Sequence, residues 1–142
     1  MKITVIYLLL CGVLFADILK VNDTFPYDSF IDQFDKKLAI TSETKEVIIS
    51  FSKKNGKAVK TFLETHHGYL KKRQAVYLAD VSSAPSLAMS LFMKPAMQKY
   101  NFSIGLIEDE ETAKVLPAVE GKTTVIRLEK MHIKSIKFVD SL

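Results

Sequence analysis

The chain has 142 residues, 20 Lys+Arg against 16 Asp+Glu for a formal net charge of +4, and 48% hydrophobic residues. That length and apolar content suit one domain with a single core. A charge this mild, with lysines scattered among acidic residues, argues against a nucleic-acid surface, and a lone cysteine excludes an internal disulfide and a cysteine-ligated structural zinc.

The first sixteen residues read as a secretory signal: Lys2 supplies a positive start, an apolar run covers 3–15, and the small Ala16 closes it. The run is shorter than the roughly 20 apolar residues a membrane-spanning helix needs, and Asp17 and Lys20 follow at once. Cleavage after Ala16 is expected, which makes 1–16 a signal peptide and 17–142 an exported domain. Cys11 lies inside the signal. Leu8-Leu9-Leu10-Cys11-Gly12 loosely matches a lipobox, but Leu10 is not the small residue that motif places before its cysteine. Cys11 therefore reads as an apolar signal residue lost on cleavage. The mature chain would hold 19 Lys+Arg against 16 acidic residues, a net charge of +3, and no thiol. No second apolar stretch reaches spanning length, so no stable membrane insertion is expected after cleavage.

Residues 17–28 are polar, include Pro26 and read as an extended lead-in. Residues 30–34 alternate as a short strand, and 36–42 read as an exposed turn or edge segment. Val47-Ile48-Ile49-Ser50-Phe51 is almost continuously apolar, as in a strand buried on both faces. A turn over 52–56 precedes an amphipathic helix over 57–65, with apolar Ala58, Val59, Phe62 and Leu63. His66-His67-Gly68 ends it, with Gly68 suited to a left-handed cap. Residues 75–81 form a second buried strand. Ser82 or Ser83 would cap a helix that has Pro85 near its first turn, runs to about Tyr100 with Leu87, Leu91, Phe92 and Met97, and kinks before Pro95. A third strand is expected over 102–107 and a short helix around 110–116. Strands over 123–128 and 133–139, with a turn between, make a C-terminal β-hairpin. This order calls for parallel crossovers plus an antiparallel hairpin: an α/β mixed sheet with helices packed on it.

Asp32-Gln33-Phe34 followed by Val47-Ile48-Ile49-Ser50-Phe51 resembles the opening of many thioredoxin and peroxiredoxin relatives, and the element order resembles the thioredoxin-like fold. The resemblance places 52–59 at the loop and helix start where redox members keep Cys-x-x-Cys, with Gly56-Lys57-Ala58-Val59 at the motif itself. It also matches Lys99-Tyr100-Asn101, before Phe102, to the loop that carries a cis-proline in redox members. The chain is similar, more narrowly, to small periplasmic proteins of Gram-negative bacteria. Thiol–disulfide exchange needs an attacking thiolate, which neither motif position would supply. No glycine-rich fingerprint opens a helix after a strand, so no dinucleotide cofactor is expected.

Ligands of open α/β sheets lie beyond the carboxyl ends of the strands. That rule places Asp80, Ser52–Lys54 and Ser82–Ala84 on one rim, and the expected binding surface there carries Ser52, Lys53, Lys54, Asn55, Gly56, Lys57 and Asp80, with Tyr100, Asn101 and Phe102. The lysines and the helix start could hold an anion, although the Walker A spacing is missing and a solvated turn explains them as well. Adjacent His66 and His67 project about 100° apart on a helix and read as end caps, with no metal expected. Glu108-Asp109-Glu110-Glu111 lacks the ligand alternation of an EF-hand and reads as a capping turn. Asp80 with Ser82 and Ser83 has no Gly-x-Ser-x-Gly elbow, so no catalytic residue is expected. Met89, Met93 and Met97 recur every four residues and read as core packing. The expected function is binding, with an envelope protein as partner. The alternatives are a cofactor- or ligand-binding enzyme using the same cleft without thiols, and a structural accessory of an envelope assembly.

Overall fold

A computed structural model describes residues 17–142. The expected signal, with Cys11, lies outside the described residues. The elements in chain order are β1 (Ser29–Asp32), β2 (Lys37–Ala39), β3 (Glu46–Ser50), α1 (Lys53–Thr65), α2 (Tyr69–Lys72) and β4 (Ala75–Asp80). Then come α3 (Ser86–Ala88), a π-helical segment (Met89–Met93), α4 (Lys94–Met97), β5 (Gly105–Ile107), α5 (Glu110–Val115), β6 (Thr123–Glu129) and β7 (His132–Val139).

All seven strands join one sheet in the order β2-β1-β5-β4-β3-β6-β7. The β3–β4 and β4–β5 pairs are parallel and the rest antiparallel. All five residues of β3 are buried, as its apolar run predicts. It stands inside the sheet, parallel to one neighbour and antiparallel to the other. Alternation along β3 and β4 divides the core: Val47, Ile49, Val76 and Leu78 point to one face, Ile48, Tyr77 and Ala79 to the other. α1 packs on the second face through Val59 and Leu63. The β6–β7 hairpin closes with Glu129 opposite His132. Lys130 and Met131 both have positive φ (47° and 69°), the backbone a two-residue hairpin turn requires.

Several boundaries differ from the sequence reading. Residues 52–56 are the start of α1 and not a turn. Ser52, extended at φ −141°, is its N-cap, and this capping outweighs the turn preference of Asn55-Gly56. Gly68 does adopt a left-handed φ of 76°, and the unanticipated α2 starts directly after it. β1 ends at Asp32, whose side chain accepts from the backbone N–H of Phe34 and Lys36 and turns the chain. Neither Ser82 nor Ser83 caps the next helix, which opens at Pro85 with no side-chain cap. The expected single helix to Tyr100 is instead α3, the π segment and α4. Pro95 has no N–H, and its ring crowds the carbonyl four residues back. A widened π turn before it replaces the expected kink. Met89, Met93 and Met97 pack on the core as expected. Leu87, Leu91 and Phe92 do not: they are 70%, 56% and 71% exposed. The third strand is only Gly105–Ile107, because the Gln33 side chain, not a neighbouring strand, takes the Ile104 N–H at 2.8 Å.

Candidate functional site: a groove beside the start of α1

β3 and β4 are parallel with Ser50 opposite Ala79, so their carboxyl ends emerge together. From β3 the chain turns directly into α1. Ser52 Oγ accepts the Asn55 N–H at 3.1 Å and donates to Asn55 Oδ1 at 2.7 Å. Asn55 Nδ2 donates to the Gly121 carbonyl at 3.2 Å, which ties the helix start to the loop before β6. This reciprocal cap joins Ser52 and Asn55, three positions apart at the helix start.

A groove of about 410 Å³ opens beside that cap. One wall is the α1 face bearing Lys53, Gly56, Lys57 and Lys60. The opposite wall is Met93, Ala96, Met97 and Tyr100. Ser50, Tyr77 and Ala79 form the floor, and Asp80 and Val81 stand on the β4 rim. In the floor Ser50 Oγ and the Tyr77 hydroxyl are 2.7 Å apart, each residue being 2% exposed. Burial pushes the Tyr77 phenol up to about 12, with Tyr100 adding to the rise and the Ser50 hydrogen bond opposing it. Gly56 lies directly above: a Cβ there would sit 3.6 Å from Ser50 Oγ and 3.7 Å from the Tyr77 oxygen. Lys60 pairs with Glu64 at 3.5 Å and stands 4.9 Å over the Tyr100 ring. Among the described residues, Lys53 and Lys57 have no carboxylate within salt-bridge distance. Asp80 Oδ1 accepts both the N–H and the hydroxyl of Ser82, at 3.0 and 2.6 Å.

The structure brings together Ser52, Lys53, Gly56, Lys57, Asp80 and Tyr100. It separates the other candidates. Asn55 is buried as a cap, and Lys54 lines neither cavity. Asn101 and Phe102 line a different hollow of about 340 Å³ beside His66, His67 and Tyr69. There Asn101 Nδ2 approaches His67 Nδ1 at 3.3 Å, while His66 stacks on Phe62 and meets the Phe62 carbonyl. α1 starts at Lys53 with Ser52 as its cap, so Gly56 lies within its first turns and lines the groove, while Val59 is buried in the core. Tyr100 meets α1 at Lys60, and Gly121 bonds to the first turn. The sequence reading also missed Ser50 and Tyr77 as site residues. Their signal was period-2 alternation, since Ile48 pairs with Tyr77 and Ser50 with Ala79, which puts all four under α1.

No protein-family model matches the chain, and no curated protein matches it. Solved structures do. The thioredoxin domain of a thiol-disulfide oxidoreductase from Bacteroides vulgatus is 11% identical over 84% of this chain and 89% of its own, with a TM-score of 0.52. A peroxiredoxin-like protein from Aquifex aeolicus is 11% identical over 87% and 78%, TM-score 0.53. A thiol:disulfide interchange protein from a Bacteroides species is 12% identical over 84% and 82%, TM-score 0.52. The chain thus has a thioredoxin-like α/β fold, with a serine and an asparagine at the head of its first long helix.

Proposed function

We propose that this is an exported, periplasmic thioredoxin-like domain that binds a ligand or an envelope protein through the groove beside α1 and performs no thiol exchange. The observation that carries this reading is the Ser52–Asn55 cap. In a redox domain a lowered-pKa thiolate at the helix start makes the attack. With the motif assigned to 52–55, these positions hold a hydroxyl and an amide, engaged with each other and with Gly121. The groove remains open next to them, in the size range of ligand pockets.

Two measurements test this. Native mass spectrometry of the protein from its host's envelope fraction should give the mass of residues 17–142, alone or with a bound partner. Stoichiometric flavin, or catalysed insulin reduction by the unaltered protein, would overturn the binding reading. The double substitution Ser52→Cys with Asn55→Cys should form a disulfide and gain insulin-reductase activity over the unaltered chain. Two cysteines that stay free under oxidising conditions would refute the assignment of the motif to 52–55.

A further inference from the structure

The floor of the groove holds two hydroxyls and one hydrogen bond between them. Ser50 and Tyr77 carry two O–H hydrogens, and their 2.7 Å contact uses one. No second acceptor lies within hydrogen-bond distance of either oxygen among the described residues, so one O–H hydrogen is available to an acceptor in the groove that both residues line.

Gly56 points the same way. It sits inside α1, where glycine is less favourable than alanine. It needs no left-handed backbone, since the positive-φ glycines are Gly68 and Gly121. It is not required by packing either, because a Cβ would make ordinary contacts of 3.6 and 3.7 Å. Those contacts would be with the two hydroxyl oxygens. What glycine provides is the space of a Cβ left empty above them.

We infer that the groove binds a molecule with one carboxylate and an apolar tail, the carboxylate lying over Gly56 on the Ser50–Tyr77 pair and the tail against Met93, Met97 and Tyr100. This rests on the groove being the binding surface proposed above. A carboxylate only accepts hydrogen bonds, which suits the surplus donor, and Lys53 and Lys57 on the same wall supply uncommitted positive charge. Asp80 on the rim disfavours a polyanion. A free aliphatic acid and the C-terminal carboxylate of an apolar peptide share this chemistry.

The test is a two-dimensional amide NMR titration of the chain with decanoate, decanol, and an apolar tripeptide as free acid and as C-terminal amide. Decanoate or the free-acid peptide should shift Gly56, Lys57 and Tyr77 saturably, at least tenfold more tightly than its uncharged counterpart. Shifts from decanoate alone assign a free acid, and shifts from the peptide acid assign a chain end. Gly56→Ala should melt at the same temperature or higher, yet bind the carboxylate at least tenfold more weakly, and Tyr77→Phe should weaken it comparably. Equal binding of charged and uncharged forms, undiminished binding by Gly56→Ala, or no shifts with any carboxylate would each overturn this inference. The binding reading itself is decided separately, by the envelope mass and the insulin assay.

Discussion

α1 and the α3–π–α4 stretch face each other across the groove and are held by different means. α1 is capped at its start by Ser52 and Asn55 and buries Val59 and Leu63 against the sheet. The opposite stretch has no side-chain caps and no fully buried residue. Its three methionines are half-buried, and Leu87, Leu91 and Phe92 face outward. Polar anchors hold its far end instead. Gln33, fully buried, donates to the carbonyls of Met97 and Phe102 at 3.3 and 2.7 Å. Gln98 donates back to the Gln33 carbonyl at 2.9 Å. One wall is thus fixed by apolar burial, and the other is pinned at one end and lined by adaptable methionines.

The comparison is broken most severely at its polar anchor. Gln33→Leu keeps the volume but strips the Ile104 N–H and the Phe102 carbonyl of their partner. About 4 kcal/mol of stability should be lost, given 1–3 kcal/mol for each buried orphan, measurable by urea unfolding. Hydrogen exchange in the variant should rise over residues 86–103 more than over α1. Equal loss of protection in both walls would refute the separate anchoring.

The next effect lies under the groove. Tyr77 has its pKa raised from 10.0 to about 12 in the folded protein, so the folded state holds this proton more tightly than the unfolded one. Its contribution is fully present below pH 10 and is lost as pH rises from 10 to 12. By linkage at 1.36 kcal/mol per pH unit, about 3 kcal/mol goes. Alkaline unfolding curves should show this fall, and Tyr77→Phe should remove most of it. An unchanged slope in that variant would assign the alkaline loss to other groups.

The smallest effect sharpens the contrast. Phe92→Ser, at an exposed position, should shift stability by less than about 0.5 kcal/mol. A loss above about 1 kcal/mol would mean that the outer face of the π segment is packed in solution.

Much of this was legible in the sequence. The apolar runs of β3 and β4 and the alternation in β6 and β7 specify the sheet, because burial on two faces and on one leaves different periods. The spacing of Val59 and Leu63 identifies α1, and the acidic run at Glu108 foretells the Asp109 cap of α5. The start of α1 was misjudged, since Asn55-Gly56 carries a turn signal that the Ser52 cap, reinforced by the tertiary bond to Gly121, overrides. Leu91 and Phe92 satisfy helical spacing yet stay outside, because the π turn before Pro95 resets which residues face the sheet. Gln33 looked like any polar strand residue. Its role depends on Ile104 and Phe102, about seventy positions away, and no local pattern encodes a contact at that range. Of the site, alternation could have found Ser50 and Tyr77, whereas the split of Asn101 and Phe102 from Tyr100 needed the folded loop.

The two outermost strands bear on how this chain behaves at high concentration. A sheet that ends in unpaired backbone invites another strand to add to it. At one border β2 is only three residues long and begins at Lys37, and at the other the eight-residue β7 carries Lys134 and Lys137. A short, charged margin on one side and a lysine-studded one on the other discourage end-to-end polymerisation of sheets.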